Sequence, residues 1–464
     1  MKQKYKQKRK QFIDNFNNNL YLYTSQLPSV INEQKITTIN TTSWFDINKI
    51  KVNKTINNIN INTKFPTEII SCQKVKMILT DMQKLILDKW FYSYTEMYNK
   101  TLNYIRENCS TFKNEVIKSK LKDIDKKLYI NSYTLRNELK IIRNDIIKSS
   151  QLIDISKNTK IQTHTLDYAI RQLVSNIKSA MTNLNQGYIK RFRIKFWKNS
   201  RPSKTIEIEK QYIINNKICP NILDDIKYEY NNKEYLLSNI NSNIKINYNS
   251  ITNEYNLLIP IKNAPIKEEN KINNFISLDP GLRTFMTGLS ETDCFKIGTK
   301  VNTIIKNQIN RLNKIKKNKN IPNKIKKKNE QLINRKIFNK VNDLQWKTIK
   351  FLTNNFNNIL LGDMSAKSIV SKNKSILHED MKVACLRTRF YDFQKRLEYK
   401  CMLTKTNYKL VDEYYTSKIC SLCGNYNDKL KGEKVYNCMK CKKIIDRDVN
   451  GCRNIMIKCL MECK

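Results

Sequence analysis

The chain has 464 residues, 40% of them hydrophobic, enough to build the cores of two or three domains. Its 86 Lys and Arg against 41 Asp and Glu give a formal net charge of +45, and a chain so charged repels itself unless a polyanion neutralises it. Nucleic acid is the expected partner, because each neutralised phosphate releases counterions. No apolar run approaches the roughly 18 residues of a spanning helix, so no membrane partner is expected.

The opening MKQKYKQKRK lacks an apolar stretch, and no secretory signal is expected. It reads as a nuclear-import cluster, a phosphate-binding arm or a solvated tail. Residues 1–70 are polar, asparagine-rich and weakly periodic, which predicts a low-complexity, disordered basic extension. A short strand at 75–79 then leads into Thr80 and Gln83, a capping box. The helix that follows, to about residue 107, places Met82, Leu85, Ile86, Trp90, Tyr94, Met97, Tyr98, Leu102 and Ile105 on one stripe. A second helix near 165–185 repeats the pattern with Leu166, Ile170, Leu173, Val174, Ile177 and Met181, so residues 81–185 read as a helical domain. From 188 the period changes to two. Lys190, Arg191 and Arg193 alternate with apolar residues up to Trp197, as in a half-buried strand with one cationic face. That face suits a nucleic-acid backbone; an ordinary solvated face is the competing reading. Further short strands complete a β-barrel-like domain from 71–80 and 186–268.

Residues 270–464 read as an RNase H-like α/β domain. Three meander strands begin with Phe275–Leu278, which runs into Asp279-Pro280-Gly281. A lysine-rich helical insert at 301–356 breaks at Ile321-Pro322, and it could lie on a nucleic-acid duplex or be a solvated face. A buried strand ends at Gly362-Asp363. A helix near 379–402, a strand from Lys409 to Tyr415 and a helix opening at Asp448 complete the order.

Of 13 cysteines, only four form paired motifs, Cys420-x2-Cys423 and Cys438-x2-Cys441. Thiolates at this spacing sit on tight turns, and two such turns close a tetrahedral Zn²⁺ site within a ribbon at 416–443. The other nine are scattered, the usage of a reducing, intracellular compartment. The two histidines, His164 and His378, lie far from this cluster in sequence and stay unassigned. Phosphodiester hydrolysis by two Mg²⁺ ions about 4 Å apart needs several converging carboxylates. Asp279 at a strand end and an acid opening the last helix are suitable, although alone each would more often be a turn or capping residue.

Together these segments resemble a known family. The run Thr416-Ser417-Lys418-Ile419-Cys420-Ser421-Leu422-Cys423-Gly424, the second cysteine pair, and Asp446-Arg447-Asp448-Val449-Asn450-Gly451 are similar to the C-terminus of OrfB/TnpB transposon proteins. Leu278-Asp279-Pro280-Gly281 is similar to that family's first nuclease motif. The resemblance covers about 75–464. It implies a RuvC nuclease domain with an inserted zinc ribbon, a wedge-like barrel and a recognition-like helical domain. It also implies a guide RNA from the transposon end directing Mg²⁺-dependent cleavage of DNA, with Asp279 and Asp448 as the first and last catalytic acids. The family's middle glutamate is absent, because Gly362 stands there. Glu413, on the next strand, matches the relocated glutamate of the Fanzor-like eukaryotic and giant-virus branch. Asp363, which one residue of shift turns to the other face, and no third ligand are the alternatives. Arg283, Lys190, Arg191 and Arg193 are candidate phosphate contacts. A eukaryotic host would imply nuclear localisation, any other the cytoplasm. Two other functions fit the same scaffold: a nuclease-inactive nucleic-acid-binding regulator, and a transposase with strand-transfer activity.

Overall fold

A computed structural model describes residues 29–30, 37–41, 46–53, 61, 63–112, 116–118, 131–153, 155–238, 240–267, 271, 273–364, 370, 378–430 and 433–462. The described residues form two compact units, one made of residues 70–262 and one of the remainder.

In the first unit the helix Asp81–Asn108 starts at a complete capping box, with the Thr80 hydroxyl accepting from Gln83 N and the Gln83 side chain accepting from Thr80 N. Its buried stripe includes Trp90, Phe91, Tyr94, Met97, Tyr98, Leu102 and Ile105. Met82 and Leu85, expected on that stripe, are exposed, because the buried face here runs through Gln83, Ile86 and Leu87 instead. The helix Thr163–Asn185 supplies the opposing face. A six-stranded sheet orders Ser203–Ile208, Ile244–Asn249, Glu254–Asn263, Ile69–Ile78, Lys227–Tyr230 and Lys233–Glu234 as neighbours.

The segment 188–197 is not the strand its alternation suggests. Among described residues its only bridge is Ile117 with Phe192. The alternation survives because side chains replace a ladder partner: Arg106 Nη2 donates to Ile194 O at 2.8 Å, and Asn99 bonds both Trp197 N and Trp197 O. Trp197 stacks on Tyr98, ring centres 3.7 Å apart. Lys190, Arg191 and Arg193 are exposed.

In the second unit Asn273–Pro280 pairs antiparallel with Met286–Ser290, which pairs antiparallel with Asp293–Ile297. On its other side Asn273–Pro280 pairs parallel with Phe356–Gly362, and that strand pairs parallel with Asn407–Val411. The strand Asp46–Asn53 extends the edge antiparallel to Asp293–Ile297, with Thr37–Thr41 and Ser29–Val30 beside it. The expected disordered extension therefore contributes strands to this sheet. Buried Ile47 packs with its core. Buried Asp46 accepts from Thr299 N and Thr299 Oγ1 at 3.0 and 2.6 Å, a partner 253 residues away that no local pattern reveals. The basic run at 1–10 lies outside the described residues.

Period-two alternation gives the sheet two covered faces. Ile276, Leu278, Ile359 and Leu361 face a layer containing the helices Val301–Lys317, Asn323–Asn355 and Phe390–Leu403. Phe275, Leu360 and Val411 face the closing helix Arg447–Glu462 through Ile455, Met456 and Cys459. The hairpin at 301–355 is thus partly core: Val301, Ile305, Ile309, Ile337, Val341 and Leu344 are buried. Register places Leu278 opposite Leu361 and Gly362 opposite Val411. Asp279, Gly362 and the chain leaving Val411 consequently arrive together at one end of the sheet, where parallel strands present their carboxyl termini.

Candidate metal centres

Asp279 shares strand parity with Phe275, so its carboxylate points toward the closing helix. There it lies against Gly451: a Cβ at 451 would stand 2.5 Å from Asp279 Oδ2. Gly362 shares the parity of Leu360 and opens a gap on the same face, and Glu413 fills it. A Cβ at 362 would stand 2.3 Å from Glu413 Oε1 and 2.8 Å from its Cγ. Glu413 Oε1 is buried and has no hydrogen-bond partner, an unsatisfied acceptor that ordinarily carries a cost. Asp363 is exposed and its N–H donates to Val411 O at 2.8 Å, so it lies outside this gap.

The three acids influence one another in sequence. Burial, then the charge of Asp279, raises the Glu413 carboxyl well above the usual carboxylate range. Burial, then Asp448, does the same to Asp279, and burial, then Asp446, raises Asp448. Among the described residues the three do not close to the 4.8 Å mutual spacing of the cysteine group. Asp446, the first acid of the D-R-D run, is already committed. Its Oδ1 accepts from Asp448 N and Val449 N at 3.0 and 3.2 Å, capping the helix, while Oδ2 accepts from Lys296 Nζ at 2.7 Å. Asp448 is left facing a cavity.

That cavity has a volume of about 700 Å³, with Asp446 and Asp448 on one wall and Arg283, Lys296, Lys306 and Lys434 among the groups around it. The exposed Lys190, Arg191 and Arg193 belong to the other unit.

Cys420, Cys423, Cys438 and Cys441 bring their sulfurs within 4.8 Å of one another. Cys420 and Cys441 sulfurs are 3.8 Å apart, and Cys423 and Cys438 sulfurs 3.4 Å. A tetrahedron of Zn–S bonds of about 2.3 Å has edges of about 3.8 Å, so the cage and its donor set fit Zn²⁺. The hairpin of Val435–Asn437 with Ile444–Asp446 carries the second cysteine pair directly into the closing helix.

Asn450, quoted in the sequence motif without a role, and Asn454, one turn further on, prove to join cage and helix. Asn450 Oδ1 accepts from Ser421 N at 2.9 Å and its Nδ2 donates to Ile419 O at 2.8 Å. Asn454 Nδ2 donates to Thr416 O and Ile419 O at 2.6 and 2.8 Å. Their spacing of four, on an otherwise apolar helix face, was the available signal.

Sheet order, buried acids and thiol cage together fall in the class of transposon-associated nucleases and their relatives. Residues 390–455 match the family model described as Cas12f1-like, TNB domain. A TnpB-like protein of Acanthamoeba polyphaga mimivirus is 34% identical over 405 residues, covering 85% of this chain and 74% of the relative. A putative transposase of the same virus is 26% identical over 467 residues, covering 94% and 91%. Among solved structures, a Cas12f1 complex with guide RNA and target DNA aligns with a TM-score of 0.39 at 14% identity, covering 84% of this chain and 99% of that one. The chain belongs to the TnpB (OrfB) family. No helix among the described residues is long and apolar enough to cross a membrane.

Proposed function

We propose that this protein is an RNA-guided, Mg²⁺-dependent DNA endonuclease on an RNase H-like (RuvC) domain, with Asp279, Glu413 and Asp448 as its catalytic acids. The observation that carries the reading is Glu413: a buried carboxylate with an unsatisfied oxygen, seated in the gap left by Gly362 and electrostatically coupled to Asp279. Buried acids that raise one another's proton affinity are costly alone, and a divalent cation removes that cost. The residues present therefore fit Mg²⁺. Bound there, Mg²⁺ would polarise the scissile phosphate and lower the pKa of an attacking water.

The chain's own residues do the rest. Asp279, Glu413 and Asp448 would hold the ions through their carboxylate oxygens. Arg283, Lys306 and Lys434 would draw phosphates into the cleft, and Lys296 with Asp446 holds the helix end that presents Asp448. Four thiolates would hold a structural Zn²⁺ and keep that helix start in place through Asn450. Lys190, Arg191 and Arg193 would grip a nucleic-acid backbone on the other unit, and the guide RNA would supply sequence specificity by base pairing.

The test is cleavage of duplex DNA by the purified protein with its copurifying RNA, in Mg²⁺. Wild type should cut, and Asp279→Asn and Glu413→Gln should each abolish cutting while RNA binding persists. No Mg²⁺-dependent cutting by wild type leaves the nucleic-acid-binding regulator. Strand-transfer products would indicate the transposase instead.

A further inference from the structure

The closing helix carries a third buried polar residue in line with Asn450 and Asn454, namely Lys458, four residues further on. All three serve one stretch of irregular chain, 412–421, which leaves the sheet after Val411 and, among the described residues, makes only the isolated bridge of Ile419 with Tyr426. Lys458 Nζ donates to Asp412 O at 2.8 Å and to Tyr414 O at 2.6 Å. One ammonium thus grips the carbonyls on both sides of Glu413. Its helix neighbours Ile455, Ile457 and Cys459 are buried, and packing alone would be met by methionine or leucine. A buried ammonium among them is expensive unless it holds something in place.

We propose that Lys458 is a positioning residue for the metal site: by fixing the carbonyls of Asp412 and Tyr414, it keeps the Glu413 carboxylate in the gap beside Gly362 and next to Asp279. The inference rests on Glu413 being a metal ligand. Lys458 touches neither substrate nor ion in this role. Thr416 N and Oγ1 donate to the Glu413 carbonyl at 3.1 and 2.9 Å, and the two lysine bonds tie down the carbonyls of residues 412 and 414 on either side. Losing the lysine bonds loosens the chain just past the strand end and lets the side chain of residue 413 leave the gap.

The experiment is Mn²⁺ binding, followed by electron paramagnetic resonance, on full-length, nucleic-acid-free wild type, Lys458→Met, Glu413→Gln and the double variant, with zinc content measured beside it. Lys458→Met should retain zinc and weaken Mn²⁺ binding by about 10–100-fold, the range for partners that orient metal ligands. In the Glu413→Gln background the same change should cost nothing further, because the effect passes through Glu413. Unchanged affinity in Lys458→Met, or an equal additional loss in the double variant, overturns the proposal. So does zinc loss from both Lys458→Met and Lys458→Gln, which would make the lysine a folding residue. If Glu413→Gln leaves Mn²⁺ binding intact, the ligand reading of Glu413 falls, and the role of Lys458 falls with it.

Discussion

Replacing Gly362 by alanine is the sharpest perturbation the site offers, because it adds one methyl group and replaces no candidate ligand. That methyl would lie 2.3 Å from Glu413 Oε1, 2.8 Å from Cγ and 2.9 Å from Cδ. Ordinary contact begins near 3.4 Å, so the carboxylate must retreat by about 1 Å. The displaced atoms end a flexible side chain, and glycine in a strand already costs about 0.5–1 kcal/mol relative to alanine. Folding stability should therefore change by no more than about 1 kcal/mol. Catalysis should not be spared: a 1 Å misplacement can cost about 10²-fold, or about 2.7 kcal/mol of barrier. Single-turnover cleavage against Mg²⁺ concentration, with a melting curve, separates the two effects. The expected result is a near-native melt, cleavage lowered about 100-fold, and a higher Mg²⁺ midpoint. Cleavage by Gly362→Ala at the wild-type rate and midpoint would refute the argument that Glu413 works from that gap. Moving the acid back, as Gly362→Glu with Glu413→Gly, should cut better than either single variant.

Asn450→Ala removes two buried hydrogen bonds, to Ser421 N and Ile419 O; Ile419 O keeps Asn454 Nδ2, while Ser421 N is left unpaired at a cost of about 1–3 kcal/mol. Zinc should leave the variant faster on chelator challenge, and cleavage should fall with it. Stripping the metal with a strong chelator, or replacing Cys438 by serine, should expose residues 416–446 to proteolysis, because the cage holds its own local fold. Asp279 and Glu413 both have folded pKa values raised above those of an unfolded chain, so the metal-free folded state binds extra protons. Its stability should fall as pH rises from about 4, the ordinary carboxylate value, through the raised values. Over the same window Mg²⁺ must displace protons, so calorimetry near pH 7 should record proton release on binding, and Glu413→Gln should reduce it. Finally, Lys306→Met with Lys434→Met should make the slope of log affinity against log salt shallower by about 0.7–0.9 for each phosphate these lysines neutralise, leaving the melt unchanged.

Local chemistry made much of this protein readable. The capping box at Thr80 and Gln83 and the apolar stripes of the two long helices in residues 70–262 depend on neighbours within one turn. The strands around Phe275–Leu278 and Ile359–Leu361 announce themselves as short apolar runs. The two C-x2-C pairs need only the reach of a tight turn to make half a cage each. Other features were hidden because their causes lie far away in the chain. Asp46–Asn53 looks like polar filler until Thr299 arrives to bond Asp46. The stretch 188–197 alternates like a strand, yet helix side chains took the place of a partner strand. The partner of Asp446 was hidden too, since Lys296 reaches it from 150 residues away.

Sequence by itself determined the charge, the thiol spacing, the order of strands and helices, and the presence of a glycine where an acid might have stood. Only tertiary structure decided that Glu413 fills the space over that glycine, that Asp279 lies against Gly451 of the closing helix, and that Lys458 meets the carbonyls on either side of residue 413. The reason is physical: periodicity reports which face a side chain takes, whereas the meeting of faces from separate strands depends on register and packing across the whole sheet.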